Sequence, residues 1–358
     1  MIKCPLNGST NTKVIYTQHS VPLIQNKVYP KKEDAQAAPC RDVTLAQSLD
    51  NGFVFSADFN DSVISYDIHY QNEQSNSSFF RNHLEQVVQI MENNDLLRGK
   101  VVEIGCGKAY FMDMLLDRDV DVIGFDPTYE GHSPKVIKDF FSAKYSSIGA
   151  DFIVLRHTLE HIGNPLDFIR MVAAANNYKG KIYLEVPTFE WIVEHNAIED
   201  IFFEHCNYFT LDTLQMCFKK SIGGHFFNGQ YIYVIGDLDS VVEDVAKRDV
   251  KEFDVKFEQR VKEYSDMING LNNVAIWGAG GKGSTFVNLV DKECNKIKFL
   301  VDINPKKQHR YIGGTGHYVI KPEELQGKGI EHMIVMNTNY IDEIRSITEP
   351  MGIKLITL

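Results

Sequence analysis

The sequence predicts an α/β chain in which two Rossmann-like units follow a small irregular lobe, and three observations carry that expectation. Val101-Val102-Glu103-Ile104 is a short apolar strand that runs into Gly105-Cys106-Gly107 and a helix start at Tyr110. Asn273-Val-Ala-Ile-Trp277 repeats the pattern through Gly278, Gly280 and Gly283. Each opening is followed by a second apolar strand that ends in an acid, Asp126 in the first unit and Asp302 in the second. Glycine between a buried strand and a helix lets backbone approach a ligand, and an acid at the next strand tip accepts from ribose hydroxyls.

The first unit keeps the alternating rhythm of a parallel sheet. A helix is expected over Phe79 to Met91, strands over 120–125, 136–138, 151–155 and 181–186, and a glycine-turned hairpin from Gly223 to Ile235. Its glycine loop lacks the third glycine that tightens a dinucleotide site, since Tyr110 stands there. The ligand it suits is an adenosine without phosphates, and S-adenosylmethionine fits. Gly105, Cys106 and Gly107 then lie against that cofactor, with Asp126 on its ribose and Glu103 near its methionine end. Asp139 and Phe140 are placed to receive the adenine, the acid accepting from the amino group. Arg156 and His157 follow a strand end and face cofactor or substrate by position. Glu160 and His161 are expected to cap and orient the next helix.

Length, charge and cysteines bound the rest. A chain of 358 residues should hold two or three domains. The division expected is a lobe over 1–75, a cofactor-binding unit over 76–238, and a linker helix with a second Rossmann-like unit over 239–358. A formal net charge of −11 argues against nonspecific binding to nucleic acid or anionic membrane, because the long-range field repels polyanions. With no long apolar run and no apolar core behind Met1-Ile-Lys-Cys-Pro, a cytoplasmic location is expected. The six cysteines are scattered, as reduced thiols are. Oligomeric state is left open.

In the first lobe, Cys4-Pro-Leu-Asn7-Gly8 and Ser48-Leu-Asp-Asn51-Gly52 have the outline of two metal-binding knuckles. A structural zinc needs four thiolate or imidazole ligands, and of positions 4, 7, 48 and 51 only Cys4 supplies one, so no zinc is expected. The tyrosine-rich stretch around Tyr66 and Tyr70 reads equally as a cofactor cover, through Tyr70, or as loop packing. Val250, Phe253, Phe257, Val261, Tyr264, Ile268 and Leu271 recur at helical spacing and predict one long amphipathic helix.

The second glycine loop is complete, at Gly278, Gly280 and Gly283. Taken alone it would suit a nicotinamide dinucleotide. Lys282 and Ser284 within the loop, and Lys306-Lys307 after Asp302, suit instead a phosphate-bearing substrate laid on a helix N-terminus. Asn337, Thr338 and Asn339 follow a later strand and reach the same crevice edge. A purely structural lobe is the third reading.

The order of these parts resembles the three-domain sugar C-methyltransferases. The resemblance rests on Glu103-Ile-Gly-Cys-Gly107, Glu185-Val-Pro187, the run from Asp200 to Phe209, the Gly-Ala-Gly-Gly-Lys-Gly loop and Val301-Asp302-Ile-Asn-Pro305-Lys306. It implies a class I methyltransferase domain, flanked by a degenerate zinc-knuckle lobe and a C-terminal Rossmann-like domain that binds a nucleotide-diphosphate sugar. The family's Tyr-His-Glu-His segment with its proposed base falls on Phe202, Phe203, Glu204 and His205, so the Glu-His pair is kept and the tyrosine is not. Carbon methylation requires removal of a proton beside a ketone and alignment of the resulting enolate with the methyl donor. His205 is the expected base and Glu204 its orienting partner. Tyr208, His225, Lys282, Ser284, Asn337 and Asn339 are the expected substrate contacts. The readings kept beside this one are an O- or N-methyltransferase on another metabolite, a nicotinamide-linked oxidoreductase and a non-catalytic binding protein.

Overall fold

The structure, a computed structural model, describes every residue except Ile68. A seven-stranded sheet lies at its centre, in the order Ser221–Phe226, Tyr231–Asp237, Lys181–Pro187, Phe152–Arg156, Lys100–Ile104, Asp121–Phe125 and Val136–Ile137. The last five of these are mutually parallel, and Tyr231–Asp237 is inserted antiparallel beside Lys181–Pro187. This is the class I methyltransferase fold. Its inner strands are apolar on both faces because helices cover both: Val101, Val102, Val154, Leu155, Ile182 and Leu184 are all at most 1% exposed. One covering helix, Ser78–Asn93, starts at Ser77, whose hydroxyl accepts from the Phe80 N–H. It buries Phe80, Leu84, Val87, Val88 and Met91 along one stripe.

The C-terminal unit is a second, all-parallel sheet of five strands, ordered Val319–Ile320, Ile297–Val301, Val274–Trp277, His332–Val335 and Lys354–Thr357. Helix Gly281–Val290 follows its first strand across the glycine loop. Gly283 is required there, since a Cβ would stand 1.9 Å from the Gly278 carbonyl oxygen.

The N-terminal lobe builds its four-stranded sheet with help. Strands Thr12–Pro22, Cys40–Ser48 and Val54–Ser56 are completed by Asn207–Tyr208, which arrives from the central unit. A short pair, Val28–Tyr29 with Tyr311–Ile312, ties the lobe to the C-terminal unit. The knuckle turns keep their shape: the Gly8 N–H donates to the Cys4 carbonyl and the Gly52 N–H to the Ser48 carbonyl. Within them the Asn51 amide donates to Cys4 Sγ at 3.7 Å.

One expected element is shorter than its stripe. The helix begins at Phe257 and ends at Gly270, while 250–256 is irregular. Buried Gln47 holds that segment, donating to the Lys251 carbonyl and accepting from the Phe253 N–H. Backbone groups bound by a side chain from another lobe cannot close helical hydrogen bonds. Among the described residues no helix is long and apolar enough to cross a membrane.

Candidate functional site

The three units enclose a cavity of about 590 Å³. His157, Glu160, His161, Glu204 and His205 line it from the central unit, and Gly278, Gly280, Lys282, Asp302 and Lys307 from the C-terminal one. The N-terminal lobe adds Asn26, and the tyrosine-rich stretch adds Tyr70.

His205 is fixed through its neighbour. The Cys206 N–H donates to the Glu160 carbonyl, and the Cys206 carbonyl accepts from Ser56 on the lobe's sheet. Its ring stays partly open to the cavity, 4.7 Å between centroids from Phe202 and 4.8 Å from His161. Burial, reinforced by the charges of His161 and His157, holds His205 well below the ordinary histidine range. It is therefore neutral at pH 7 and free to take a proton.

Glu204 beside it is buried, and one oxygen accepts from the Gln25 backbone N–H at 2.9 Å. Among the described residues its other oxygen has no hydrogen-bond partner. Burial raises the Glu204 pKa, against lowering by His161 and by backbone donors. Tyr66 and Tyr70 pack together with centroids 4.6 Å apart, and both hydroxyls are made less acidic by burial and by nearby Glu204. Tyr70 thus belongs to the base's surroundings.

A fully buried carboxylate, Glu185, gathers a guanidinium and two imidazoles. Arg156 meets it through Nε at 2.8 Å and Nη2 at 3.3 Å, His83 through Nε2 at 2.9 Å, and His157 Nε2 lies 3.0 Å away. Glu160 stands 3.7 Å from the other ring nitrogen of His157. Burial disfavours the His157 cation, but Glu160 and Glu185 outweigh it and push the pKa up to about 9. A group raised in the folded state stabilises fully below its unfolded pKa, near 6.5, and loses that contribution as pH rises through about 9. Thermal melts are expected to fall across that window in the native chain and to fall less in His157→Gln.

Several sequence expectations are corrected here. Arg156 is held by Glu185 and by the Phe111 ring and does not line the main cavity. Asp139 accepts from Tyr145 at 2.6 Å and pairs with Lys144, which braces its own loop. Tyr208 uses its hydroxyl on the Phe202 backbone. His225 faces Glu190 at 3.3 Å and lines a separate cavity beside Phe226. Ser284 is 1% exposed and Asn339 is engaged with Asn228 and the Phe227 carbonyl, so neither lines the main cavity. Glu160 and His161 cap no helix. Helix Pro165–Ala175 starts instead at Asn164, with Pro165 in its first turn.

Other expectations lie where the sequence put them. Lys282 reaches the cavity, paired to Asp200 at 2.7 Å and standing 4.3 Å over the Trp191 ring. Asn337 lines it too, exchanging hydrogen bonds with Gln230. Lys307, named with Lys306 after Asp302, also lines it, while Trp191 and Asn26 are residues that motif reasoning did not single out for the cavity. Glu160, His161 and His205 bring ligand atoms within 4.8 Å of one another, as do His83, His157 and Glu185. Arg156 already supplies the positive charge that a cation would bring to the second group.

At the first glycine loop, Asp126 accepts from the Gly107 N–H at 2.8 Å and from the Thr128 N–H at 2.8 Å. Gly105 has φ 78° and must lack a Cβ, which would stand 2.2 Å from Thr158 Oγ1. Glu103 is 2% exposed with one oxygen unpartnered, and burial first, then Asp126 and Glu185, push it up to about 7 against Arg156. Phe140 is 71% exposed.

Residues 70–221 match the methyltransferase domain family. The chain is an S-adenosylmethionine-dependent methyltransferase. Residues 247–355 match the C-methyltransferase C-terminal domain. A curated relative, the C-methyltransferase NovU of Streptomyces niveus, is 23% identical over 317 residues, covering 77% of this chain and 76% of that protein. A SAM-dependent methyltransferase from Archaeoglobus fulgidus aligns with 48% of this chain and all of its own, at 15% identity and TM-score 0.35. The PH0226 protein of Pyrococcus horikoshii OT3 aligns with 48% of this chain at 14% identity and TM-score 0.34.

Proposed function

We propose that this methyltransferase methylates carbon, beside the ketone of a nucleotide-linked keto-deoxysugar. The observation that carries the reading is that His205 and Glu204 share one cavity with the glycine loop and two lysines of the C-terminal unit. Phe202 joins the two ends: its ring packs on His205, and it lies so close to Gly281 that a Cβ there would meet it at 2.7 Å. The C-methyltransferase description of the C-terminal match, and of NovU, favours carbon as the atom methylated.

The residues at the first glycine loop fit the donor. Asp126 accepts from the Gly107 and Thr128 N–H groups and the Thr128 hydroxyl and keeps about one acceptor site for a ribose hydroxyl, orphaned Glu103 suits the amino group of the methionine end, and exposed Phe140 offers a face to adenine. When bound, S-adenosylmethionine supplies an electrophilic methyl group on a charged sulfur. Asp126→Ala is expected to weaken S-adenosylhomocysteine binding about 10- to 100-fold in calorimetry, the loss of hydrogen bonds to a charged acceptor.

His205 takes the proton from the carbon beside the ketone. Glu204 fixes the segment and stabilises the imidazolium that results. The cation at His157 favours the negative charge that grows on the ketone oxygen. Lys307 and Lys282, beside the helix N-terminus at Gly281, hold the diphosphate and keep the sugar in reach of the base.

Solvent exchange tests the base. With S-adenosylhomocysteine and a nucleotide-linked keto-deoxysugar in D₂O, the hydrogen beside the ketone is expected to exchange, and to stop exchanging in His205→Ala. Absence of exchange together with a methyl ether as product would sink the carbon reading.

A further inference from the structure

Two short segments, Leu159–His161 and 204–206, meet at the main cavity and are laced together through their backbones. His161 Nδ1 lies 2.9 Å from the Glu204 carbonyl, and the Cys206 N–H donates to the Glu160 carbonyl at 2.8 Å. Between them the segments carry Glu160, His161 and His205, all of which line the cavity. The ligating atoms of these three side chains lie within 4.8 Å of one another. Two imidazoles and a carboxylate are the ligand set of zinc sites that keep a fourth position open.

Two further observations point to an ion. A carbonyl only accepts, so the His161 ring carries its proton on Nδ1 and keeps a free lone pair on Nε2. Metal-ligating histidines are held in this way, by donation of the other ring N–H to a carbonyl or carboxylate. Glu160 is 2% exposed, and among the described residues its Oε2 has no hydrogen-bond partner. The His157 ring approaches the other oxygen, Oε1, at 3.7 Å and leaves Oε2 unmet. A buried carboxylate oxygen without a donor costs free energy that a cation would relieve.

We propose that Glu160, His161 and His205 form a site for a divalent transition-metal ion of the zinc or cobalt kind, and that an ion bound there blocks methyl transfer. The ion takes the His205 nitrogen lone pair that would otherwise take the substrate's proton. No electron is transferred, and only water from the ion's own shell is released. Binding stands on the geometry of the three ligands, whereas the block rests on the reading of His205 as the base. Because the two segments are tied together before an ion arrives, binding loses little to ordering them. The cavity gives the ion its path to the site.

The test is titration of the full chain, freed of metal by a chelator, with cobalt(II), read by the visible absorption of the protein-bound ion. Stoichiometric binding is expected, with the bands bleached when zinc displaces cobalt. His205→Ala and Glu160→Gln are each expected to lower the cobalt affinity by at least about 10- to 100-fold, the loss that even an outer partner of a metal ligand causes. Binding of S-adenosylhomocysteine by each variant reports that its fold is kept, and either variant alone suffices. Saturating zinc is expected to lower methyl transfer by the native chain about 10²- to 10⁴-fold, as loss of a general base does, and a chelator to restore it. Magnesium, which prefers oxygen ligands, is expected to leave both bands and activity unchanged. Absence of stoichiometric cobalt binding, or an unchanged affinity in a folded variant, overturns the site and leaves the carbon-methylation reading standing. Cobalt binding that is lost in His205→Ala, together with methyl transfer that zinc leaves unchanged or raises, overturns the block and with it His205 as the base.

Discussion

His205→Ala is expected to lower kcat by about 10²- to 10⁴-fold, the usual contribution of a positioned general base. The ring is partly open to the cavity and its segment is anchored through the backbone of Cys206, so its removal leaves the fold intact. Binding of S-adenosylhomocysteine should therefore not change. Burial and the charges of His161 and His157 keep the native ring neutral well into acid, so the acid limb of the native kcat profile should lie below the ordinary histidine range. Added imidazole is expected to restore part of the lost activity in the alanine variant, which a packing defect would not permit. Full activity in His205→Ala would remove the base from this assignment.

Glu185→Gln is expected to have the largest effect on stability, a loss of about 3–5 kcal/mol, because it keeps the shape while deleting the charge. The carboxylate is 0% exposed and faces Arg156, His83 and His157 together. Its own burial cost is outweighed by Arg156 and the two histidines, which hold its pKa well below the usual range. Without it, the buried guanidinium of Arg156 loses the carboxylate that directly pairs it. Tm should fall on the order of 10 °C. His157 should also lose the interaction that keeps it charged, so the variant's stability should depend less on pH between about 6.5 and 9. A Tm within a degree of the native chain would mean that water or relaxation screens the cluster.

Much of the fold was legible because it is written in local pattern. Apolar runs that stop at glycine, spaced acids and a helical stripe over Phe80 to Met91 each mark one element, and the sheet order follows from parallel crossovers. The stripe from Val250 misled because two of its apolar residues face the N-terminal lobe in irregular chain, under the control of Gln47, about two hundred residues away in sequence. The site was legible in part for the same reason. His205, Lys282 and Lys307 stand in motifs, whereas Asn26 and Trp191 reach the cavity only through tertiary placement. Glu160 and His161 sit where a cap would sit in sequence, yet a short turn at Leu159–His161 swings both toward His205. Arg156, Asp139 and Tyr208 follow strand ends or motif positions, but charged or backbone partners nearby claim their polar groups.

The central claim is that the methyl group ends on carbon within one cavity shared by the base and the nucleotide loop. Incubation with ¹³C-methyl S-adenosylmethionine and a panel of nucleotide-linked keto-deoxysugars, read by ¹³C NMR, tests it most directly. A labelled methyl coupled to a sugar ring carbon is the expected result; a labelled methoxy group, or no transfer to any member of the panel, would contradict it.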